Sequence, residues 1–111
     1  MAIKNPEEPF TRITLEEARG MMSRDDVAVI DVRELHEYNA GHLPGARLIP
    51  VATVFARRDE LPQDKEIIFV CGVGQRSALA CEMAAATGLS RLFNLEGGTE
   101  GWIKAGLPVE K

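Results

Sequence analysis

The sequence predicts a three-layer α/β domain, in which helices flank a central and mostly parallel sheet. Two apolar runs of strand length, residues 27–32 and 66–70, are bounded by charged residues, as is typical of strands buried on both faces. Segments with a helical pattern alternate with the strand candidates, and this alternation favours parallel pairing. Because 111 residues make one domain of ordinary size, we expect a single functional site.

The N-terminal part of the chain is expected to be extended. Residues 1–12 contain two prolines and lack a clear periodic pattern, so we assign residues 13–111 to the domain itself. Residues 14–17 read Thr-Leu-Glu-Glu, which is a capping box. A short helix is therefore predicted to begin there and to end near Met22.

Strands and helices alternate along the rest of the chain. A Gly-rich loop, residues 71–77, joins the second strong strand to an Ala-rich helix. The predicted order is a strand at 27–32, a helix at 34–39, a turn at 41–46, a short strand at 47–49, a helix at 51–58, a strand at 66–70, a helix at 77–87 ended by Gly88, a strand at 91–95 and a helical segment around Trp102.

Composition and charge exclude several classes of protein. Apolar residues make up 45% and charged residues 27%, which fits globular domains and excludes disordered or collagen-like chains. The formal net charge is -4, and Arg57-Arg58 is the only adjacent basic pair, whereas a nucleic-acid binder normally has a basic stripe. The first residues lack a basic stretch leading into a long apolar run, and no window approaches roughly 18 uncharged apolar residues. We therefore expect a cytoplasmic protein that binds neither nucleic acid nor a membrane.

The chain has two cysteines, Cys71 and Cys81. Their spacing matches no common zinc motif, and the two histidines, His36 and His42, lie far upstream, so no metal site is expected. Cys81 lies several residues into the Ala-rich helix. At a rise of about 1.5 Å per residue it is too far from Cys71 for an unstrained disulfide. A packing role is therefore favoured for Cys81 over that of a resolving thiol.

Cys71 ends a predicted buried strand, at the edge of the sheet where open α/β domains bind ligands. The glycines that follow allow successive backbone N-H groups to turn inward as an anion-binding nest. The start of the next helix adds partial positive charge, and Arg76 adds a full one. These three features favour the thiolate of Cys71 over its thiol, and thus a nucleophile over a buried cysteine in a tight turn.

Several motifs occur along the chain in a fixed order. They are Val29-Ile30-Asp31-Val32-Arg33, Glu37, Gly41-His42-Leu43-Pro44-Gly45-Ala46, the loop from Cys71 to Arg76-Ser77, and Gly97-Gly98 before Trp102. In this order and spacing, the chain resembles the rhodanese family. The likeness runs from about Thr14 to Val109, and it implies a compact rhodanese domain over residues 13–111.

The activity implied by this resemblance is sulfur transfer through a cysteine persulfide. The Cys71 thiolate takes a sulfane sulfur from thiosulfate or a persulfide, and an acceptor such as cyanide or a thiol removes it in a ping-pong sequence. No metal or organic cofactor is needed. The loop N-H groups are expected to stabilise the anionic sulfur, and Ser77 acts there or as a helix cap. The binding residues would be Gly72, Val73, Gly74, Gln75, Arg76 and Ser77.

Four further residues are expected to support the site. In the proteins that this chain resembles, residues at the positions of Asp31 and Arg33 tie loops together with a nearby acid, for which Glu37 is the candidate. His42 lies within a turn sequence, so we expect it to shape the turn rather than to act as a base for Cys71.

Two details of the loop bear on the expected sulfur donor and on the alternative functions. Gly72 stands where many family members have a basic residue, so dianionic thiosulfate is expected to bind weakly compared with a persulfide or a protein-bound donor. Four residues separate Cys71 from Arg76, whereas related dual-specificity phosphatases have five, which favours sulfur over phosphate. The alternatives are a non-catalytic rhodanese-like binding module, a phosphatase or arsenate reductase, and a carrier in a sulfur relay between proteins.

Overall fold

The computed structural model describes residues 2–111 and confirms the predicted α/β architecture. Five strands form the sheet, and their bounds are β1 Thr11–Ile13, β2 Val27–Asp31, β3 Arg47–Leu48, β4 Glu66–Val70 and β5 Leu92–Leu95. The strand order is β1-β5-β4-β2-β3, and every neighbouring pair is parallel. The carboxyl ends of all five strands therefore meet at one edge of the sheet, where Cys71 follows the central strand β4.

Four α-helices connect and flank these strands: α1 Leu15–Met22, α2 Leu35–Ala40, α3 Gln75–Ala86 and α4 Gly98–Lys104. The capping box predicted for α1 is present, because the Thr14 hydroxyl accepts from the Glu17 N-H and the Glu17 carboxylate accepts from the Thr14 N-H. Helix α3 begins two residues earlier than predicted, directly after Gly74. Within residues 2–111, no helix is both long and apolar enough to cross a bilayer.

The core lies in two halves, one on each face of the sheet. Along β4, Ile67 and Phe69 belong to the half that contains Ala80 of α3, whereas Ile68 and Val70 belong to the half that contains Trp102 of α4. All four β4 side chains are at most 1% exposed. Burial of such a side chain contributes roughly 1.5–3 kcal/mol, so β4 and the position of Cys71 after it are firmly held.

Two regions differ from the prediction. Strand β1 was not predicted as a strand, because Thr11 and Arg12 interrupt any apolar run, yet it pairs with β5 at the sheet edge. The helix predicted at 51–58 is wrong: the structure has two 3-10 turns, Val51–Thr53 and Arg58–Glu60. The β-branched side chains of residues 51, 53 and 54 lose rotamer freedom in an α-helix, which disfavours one here.

Candidate active site

Cys71 lies at the bottom of the loop between β4 and α3. Its side chain belongs to the core, and the residue is 1% exposed. Ser77, in the first turn of α3, is fully buried beside it. The chain therefore presents one cysteine sulfur at the carboxyl edge of the sheet, surrounded by the loop that follows it.

The Cys71 sulfur contacts two polar groups of this loop. The Gly74 N-H donates to Sγ at 3.1 Å, and the Ser77 hydroxyl oxygen lies 3.3 Å from Sγ. Burial raises the pKa of Cys71, but hydrogen bonding by the Ser77 hydroxyl and by the N-H groups of Ser77, Gly74 and Val73 lowers it. The net effect is a pKa below the ordinary value. The loop thus favours the thiolate.

Close backbone contacts hold the loop in this shape. Gly74 has a φ of +99°, and a Cβ there would lie 2.7 Å from the Glu96 carbonyl oxygen. Gly98 has a φ of +61°, and a Cβ there would lie 2.2 Å from the Gly72 carbonyl oxygen. The first turn of α4 also binds the loop, since the Thr99 N-H donates to the Cys71 carbonyl at 2.8 Å. Only glycine fits at both positions.

Arg76 forms an ion pair with Glu37 of α2. Its Nη1 and Nη2 atoms lie 2.8 and 3.0 Å from the two carboxylate oxygens. The Arg76 side chain, together with the Glu34 N-H, holds the pKa of Glu37 at about 2, against the opposing effect of burial. The guanidinium flanks the loop, with Nη2 3.4 Å from the place where a Cβ on Gly72 would lie. Its positive charge is therefore largely neutralised by Glu37.

Arg33 forms a separate pair with Asp31. Its Nη2 atom donates to an Asp31 carboxylate oxygen and to the Gly41 carbonyl, both at 2.8 Å. The pair is buried, and it joins the end of β2 to the end of α2. Glu37 is thus not the acid that pairs with Arg33. It lies on α2 opposite Arg76, while the Nε and Nη2 atoms of Arg33 donate to Asp31 and Gly41.

His42 contacts groups away from the sulfur. Its Nδ1 atom lies 2.9 Å from the Tyr38 carbonyl oxygen, and its ring stacks on the Tyr38 ring with 3.7 Å between centroids. Its backbone N-H donates to the Glu110 carbonyl at 2.9 Å. These contacts join the turn after α2 to the C-terminal segment. The role of His42 as a residue that shapes the turn stays a prediction.

Sequence reasoning missed Asn94, a buried polar residue of β5. Its Nδ2 atom donates to the Gly74 carbonyl at 3.1 Å and to the Glu96 carboxylate, and its Oδ1 atom accepts from the Ser77 hydroxyl. Asn94 therefore contacts both loop residues that touch the Cys71 sulfur. The available signal was a single amide within the apolar run of residues 92–95.

The described residues contain no metal-binding cluster, and a large cavity of the structure lies away from Cys71. Over residues 2–111, no three His, Cys, Asp or Glu side chains are grouped so that they could hold a metal ion. A cavity of about 430 Å³ is at the opposite edge of the sheet, where Arg58, Lys65 and Arg91 are among its lining residues. The chemistry suggested by Cys71 thus depends on the loop itself rather than on a deep pocket.

Comparisons of the chain with known proteins agree on one family. Residues 14–105 match the rhodanese-like domain. A thiosulfate sulfurtransferase GlpE of Glaesserella parasuis serovar 5 is 30% identical, and the alignment covers 94% of this chain and 96% of that protein. A putative sulfur carrier protein YrkF of Bacillus subtilis is 33% identical over 81% of this chain, which spans only 49% of that protein.

The solved structures agree with these relatives. A rhodanese-related protein from Thermoplasma volcanium superposes with a TM-score of 0.81 at 30% identity, covering 89% of this chain and 96% of that one. The fold and most of the chain length are therefore shared with proteins of one family. The chain belongs to the rhodanese-like domain family, and it is related to sulfurtransferases over most of its length.

Proposed function

We propose that this protein is a sulfurtransferase that carries a sulfane sulfur as a persulfide on Cys71. The observation that supports this most strongly is the environment of the sulfur. It is buried, it accepts the Gly74 N-H at 3.1 Å, and its pKa lies below the ordinary value despite burial. The same N-H donors that favour a thiolate also suit a persulfide anion, as in an oxyanion hole.

The reaction has two displacement steps at sulfur. The Cys71 thiolate attacks the outer sulfur of the donor, and the bond between that sulfur and the donor breaks. The donor leaves with the bonding electrons, as a thiolate or as sulfite. An acceptor thiolate or cyanide then attacks the outer sulfur of the persulfide, and Cys71 leaves again as a thiolate.

The charges around the loop favour a persulfide donor over thiosulfate. Arg76 is paired with Glu37, and Arg33 is paired with Asp31. A carboxylate oxygen of Glu100 lies 3.6 Å from the place where a Cβ on Gly72 would lie. A dianion would therefore meet paired cations and an additional carboxylate, whereas a persulfide with a single charge is repelled less.

The natural donor or acceptor is expected to be a small thiol or a sulfur-relay protein. The relative named as a putative sulfur carrier supports the second possibility. We place the protein in the cytoplasm, where its two free cysteines would stay reduced.

Two alternatives fit these contacts less well. A non-catalytic binding module has no need of a cysteine whose pKa is lowered by the surrounding loop. A phosphatase or arsenate reductase needs an arginine whose charge is directed at an oxyanion, whereas the charge of Arg76 is already paired with Glu37. The donor's single outer sulfur atom is also better suited than a tetrahedral phosphate to a cysteine that is 1% exposed.

The test is the intact mass of the reduced protein before and after treatment with thiosulfate or with the persulfide of a small thiol. We expect a gain of one sulfur atom in the parent and in Cys81→Ala, no gain in Cys71→Ser, and reversal by cyanide. A gain that persists in Cys71→Ser would place the sulfur elsewhere. No gain with either donor, together with turnover of a phosphate ester, would favour the phosphatase.

A further inference from the structure

The amide of Asn94 can bond its neighbours in one orientation only. It is fully buried, and two of its three partners, the Gly74 carbonyl and the Glu96 carboxylate, can only accept hydrogen bonds. The amide nitrogen must therefore face both of them, which directs Oδ1 towards Ser77. Arg12 forms an ion pair with the same side chain, since its Nη1 atom donates to a Glu96 carboxylate oxygen at 2.8 Å.

This orientation decides the direction of the Ser77 hydrogen bond. A carbonyl oxygen carries no hydrogen, so the bond between Ser77 and Asn94 uses the one hydroxyl hydrogen that Ser77 has. The Ser77 oxygen, 3.3 Å from the Cys71 sulfur, can then offer only a lone pair to it. When Cys71 is a thiol, it donates a hydrogen bond to the Ser77 hydroxyl oxygen, and the Ser77 hydroxyl donates to Asn94.

Ionisation of Cys71 disturbs this chain. Once the thiol proton has left to a base in solution, the sulfur no longer donates, and the lone pair of Ser77 faces a negative charge. The hydroxyl stabilises that charge only by turning its hydrogen to the sulfur, which leaves the buried Oδ1 of Asn94 without a donor. A buried polar atom that loses its partner is costly, so the two acceptors compete for one hydrogen.

We propose that Asn94 is a positioning residue that holds the Ser77 hydroxyl hydrogen away from the Cys71 sulfur in the resting thiol and opposes its transfer to the thiolate. The Gly74 N-H is unaffected by this competition, because it donates to the sulfur in either state. Asn94 thereby limits how much of the thiolate's stabilisation Ser77 supplies. This inference rests on the proposed role of Cys71 as the reacting group.

Charged side chains also surround the loop. They lie on every element that packs around the site, and they are unchanged in the variants compared below. These groups are Asp31 and Arg33 at the end of β2, Glu37 of α2, Arg76 of α3, Glu96 after β5, Glu100 of α4, and Arg12 of β1.

A double-mutant cycle isolates the competition. In a Cys81→Ala background, the alkylation rate of Cys71 by iodoacetamide is measured against pH for the parent, Ser77→Ala, Asn94→Leu and the double variant. We expect removal of the Ser77 hydroxyl to raise the pKa of Cys71 by less than about half a unit when Asn94 is present. In the Asn94→Leu background, we expect the same removal to raise the pKa of Cys71 by at least about one unit more. This difference corresponds to a full hydrogen bond from the Ser77 hydroxyl to a charged group.

The cycle cancels effects that are merely structural. Loosening of Gly74 by Asn94→Leu is common to both Ser77 backgrounds, so an equal effect of Ser77→Ala in the two backgrounds overturns the proposal. If Asn94→Leu does not fold, the comparison of the parent with Ser77→Ala still tests the proposal. If Ser77→Ala raises the pKa of Cys71 by a full unit, the Ser77 hydroxyl already donates its hydrogen to the sulfur, and the proposal is wrong. Ser90→Ala, at an exposed serine, is the matched control and should leave the pKa unchanged.

Alkylation requires no sulfur donor. Failure of sulfur loading would therefore contradict the proposed function without changing the result of the cycle. Equal effects in the cycle, with normal sulfur loading, would overturn the role of Asn94 alone.

Discussion

The two cysteines of this protein are equally buried and chemically opposite. Cys71 is 1% exposed and Cys81 is 0% exposed, and neither is in a disulfide. The pKa of Cys81 is raised, chiefly by burial and further by the negative charges of Glu82 and Glu96. The pKa of Cys71 is lowered, because hydrogen-bond donors outweigh the effect of burial. Burial alone thus does not decide the character of a thiol.

The difference follows from the place of each cysteine relative to α3. Cys71 precedes the helix, where backbone N-H groups have no partner within the helix and can point at the sulfur. Cys81 lies in the middle of the helix, where the N-H groups are used internally, and its sulfur faces the Phe93 carbonyl at 3.6 Å. One sulfur therefore meets donors, and the other meets an acceptor.

The largest expected consequence is a difference in alkylation rate. At pH 7, we expect iodoacetamide to modify Cys71 at least about 1,000 times faster than Cys81, because each unit of pKa changes the thiolate fraction tenfold and Cys81 reacts only after local opening. Peptide mapping by mass spectrometry after timed quenching measures both rates. Comparable rates in the folded protein would show that the two sulfurs do not differ as their contacts imply.

The next effect is that of Gly74→Ala, which disturbs the donor nearest to Cys71. The left-handed backbone and the contact with the Glu96 carbonyl together are expected to cost about 2 to 4 kcal/mol of stability. The displaced N-H should also raise the pKa of Cys71, which would then resemble Cys81. Urea unfolding and the pH dependence of alkylation measure the two effects.

Gly45→Ala is the matched control for this change. Gly45 has a φ of +78°, but nothing lies within 4 Å of the place where its Cβ would be. Its cost should be only the backbone strain of about 1 to 2 kcal/mol, with no change in the pKa of Cys71. Equal losses in the two variants would mean that the contact with Glu96 is unimportant.

A smaller effect is expected from Cys81→Ala. Removal of a buried sulfur from the core should reduce the free energy of unfolding by roughly 1 kcal/mol. Sulfur loading at Cys71 should be unchanged, because Cys81 contacts the Phe93 carbonyl rather than the loop. Urea unfolding and intact mass after persulfide treatment provide the measurements. A large loss of loading would instead indicate that Cys81 resolves the persulfide.

The smallest effect is that of Glu37→Gln, which removes the partner of Arg76. The pKa of Glu37 is about 2 in the folded protein against an ordinary 4.5, so the carboxylate stabilises the fold above pH 4.5. This contribution disappears as the pH falls from 4.5 through 2. Because the pair is partly exposed, the parent should exceed the variant by only a few tenths of a kcal/mol to 1 kcal/mol at pH 7.

Urea unfolding at several pH values tests whether the Glu37 carboxylate stabilises the fold above pH 4.5 and loses this effect at lower pH. The stabilities of the parent and Glu37→Gln should converge below pH 2, and divergence there would contradict the assignment. The unpaired Arg76 should also lower the pKa of Cys71 slightly and improve loading from thiosulfate, which would bring the variant closer to a thiosulfate enzyme.

Much of the fold could be predicted because its signals are local. The apolar runs at 27–32 and 66–70 and the capping box at 14–17 depend only on neighbouring residues. Strand β1 could not be predicted, because its place in the sheet depends on pairing with β5, some 80 residues away. The 3-10 turns in place of the helix at 51–58 show how β-branched side chains override a helical pattern.

The sequence by itself determined the parallel α/β class and the position of Cys71 between a buried strand and a Gly-rich turn, because periodicity and loop composition are properties of adjacent residues. Only the tertiary structure decided the partners of the charged and polar groups. Arg76 faces Glu37 and Asn94 faces Ser77 across separations that the chain order does not encode. The neighbouring pair of Arg33 and Asp31 is local, but only the structure shows that Arg33 reaches the Gly41 carbonyl rather than Glu37. Those pairings depend on which helix ends and strand ends meet at one edge of the sheet. One of them, between Asn94 and Ser77, involves a hydroxyl that also contacts the Cys71 sulfur.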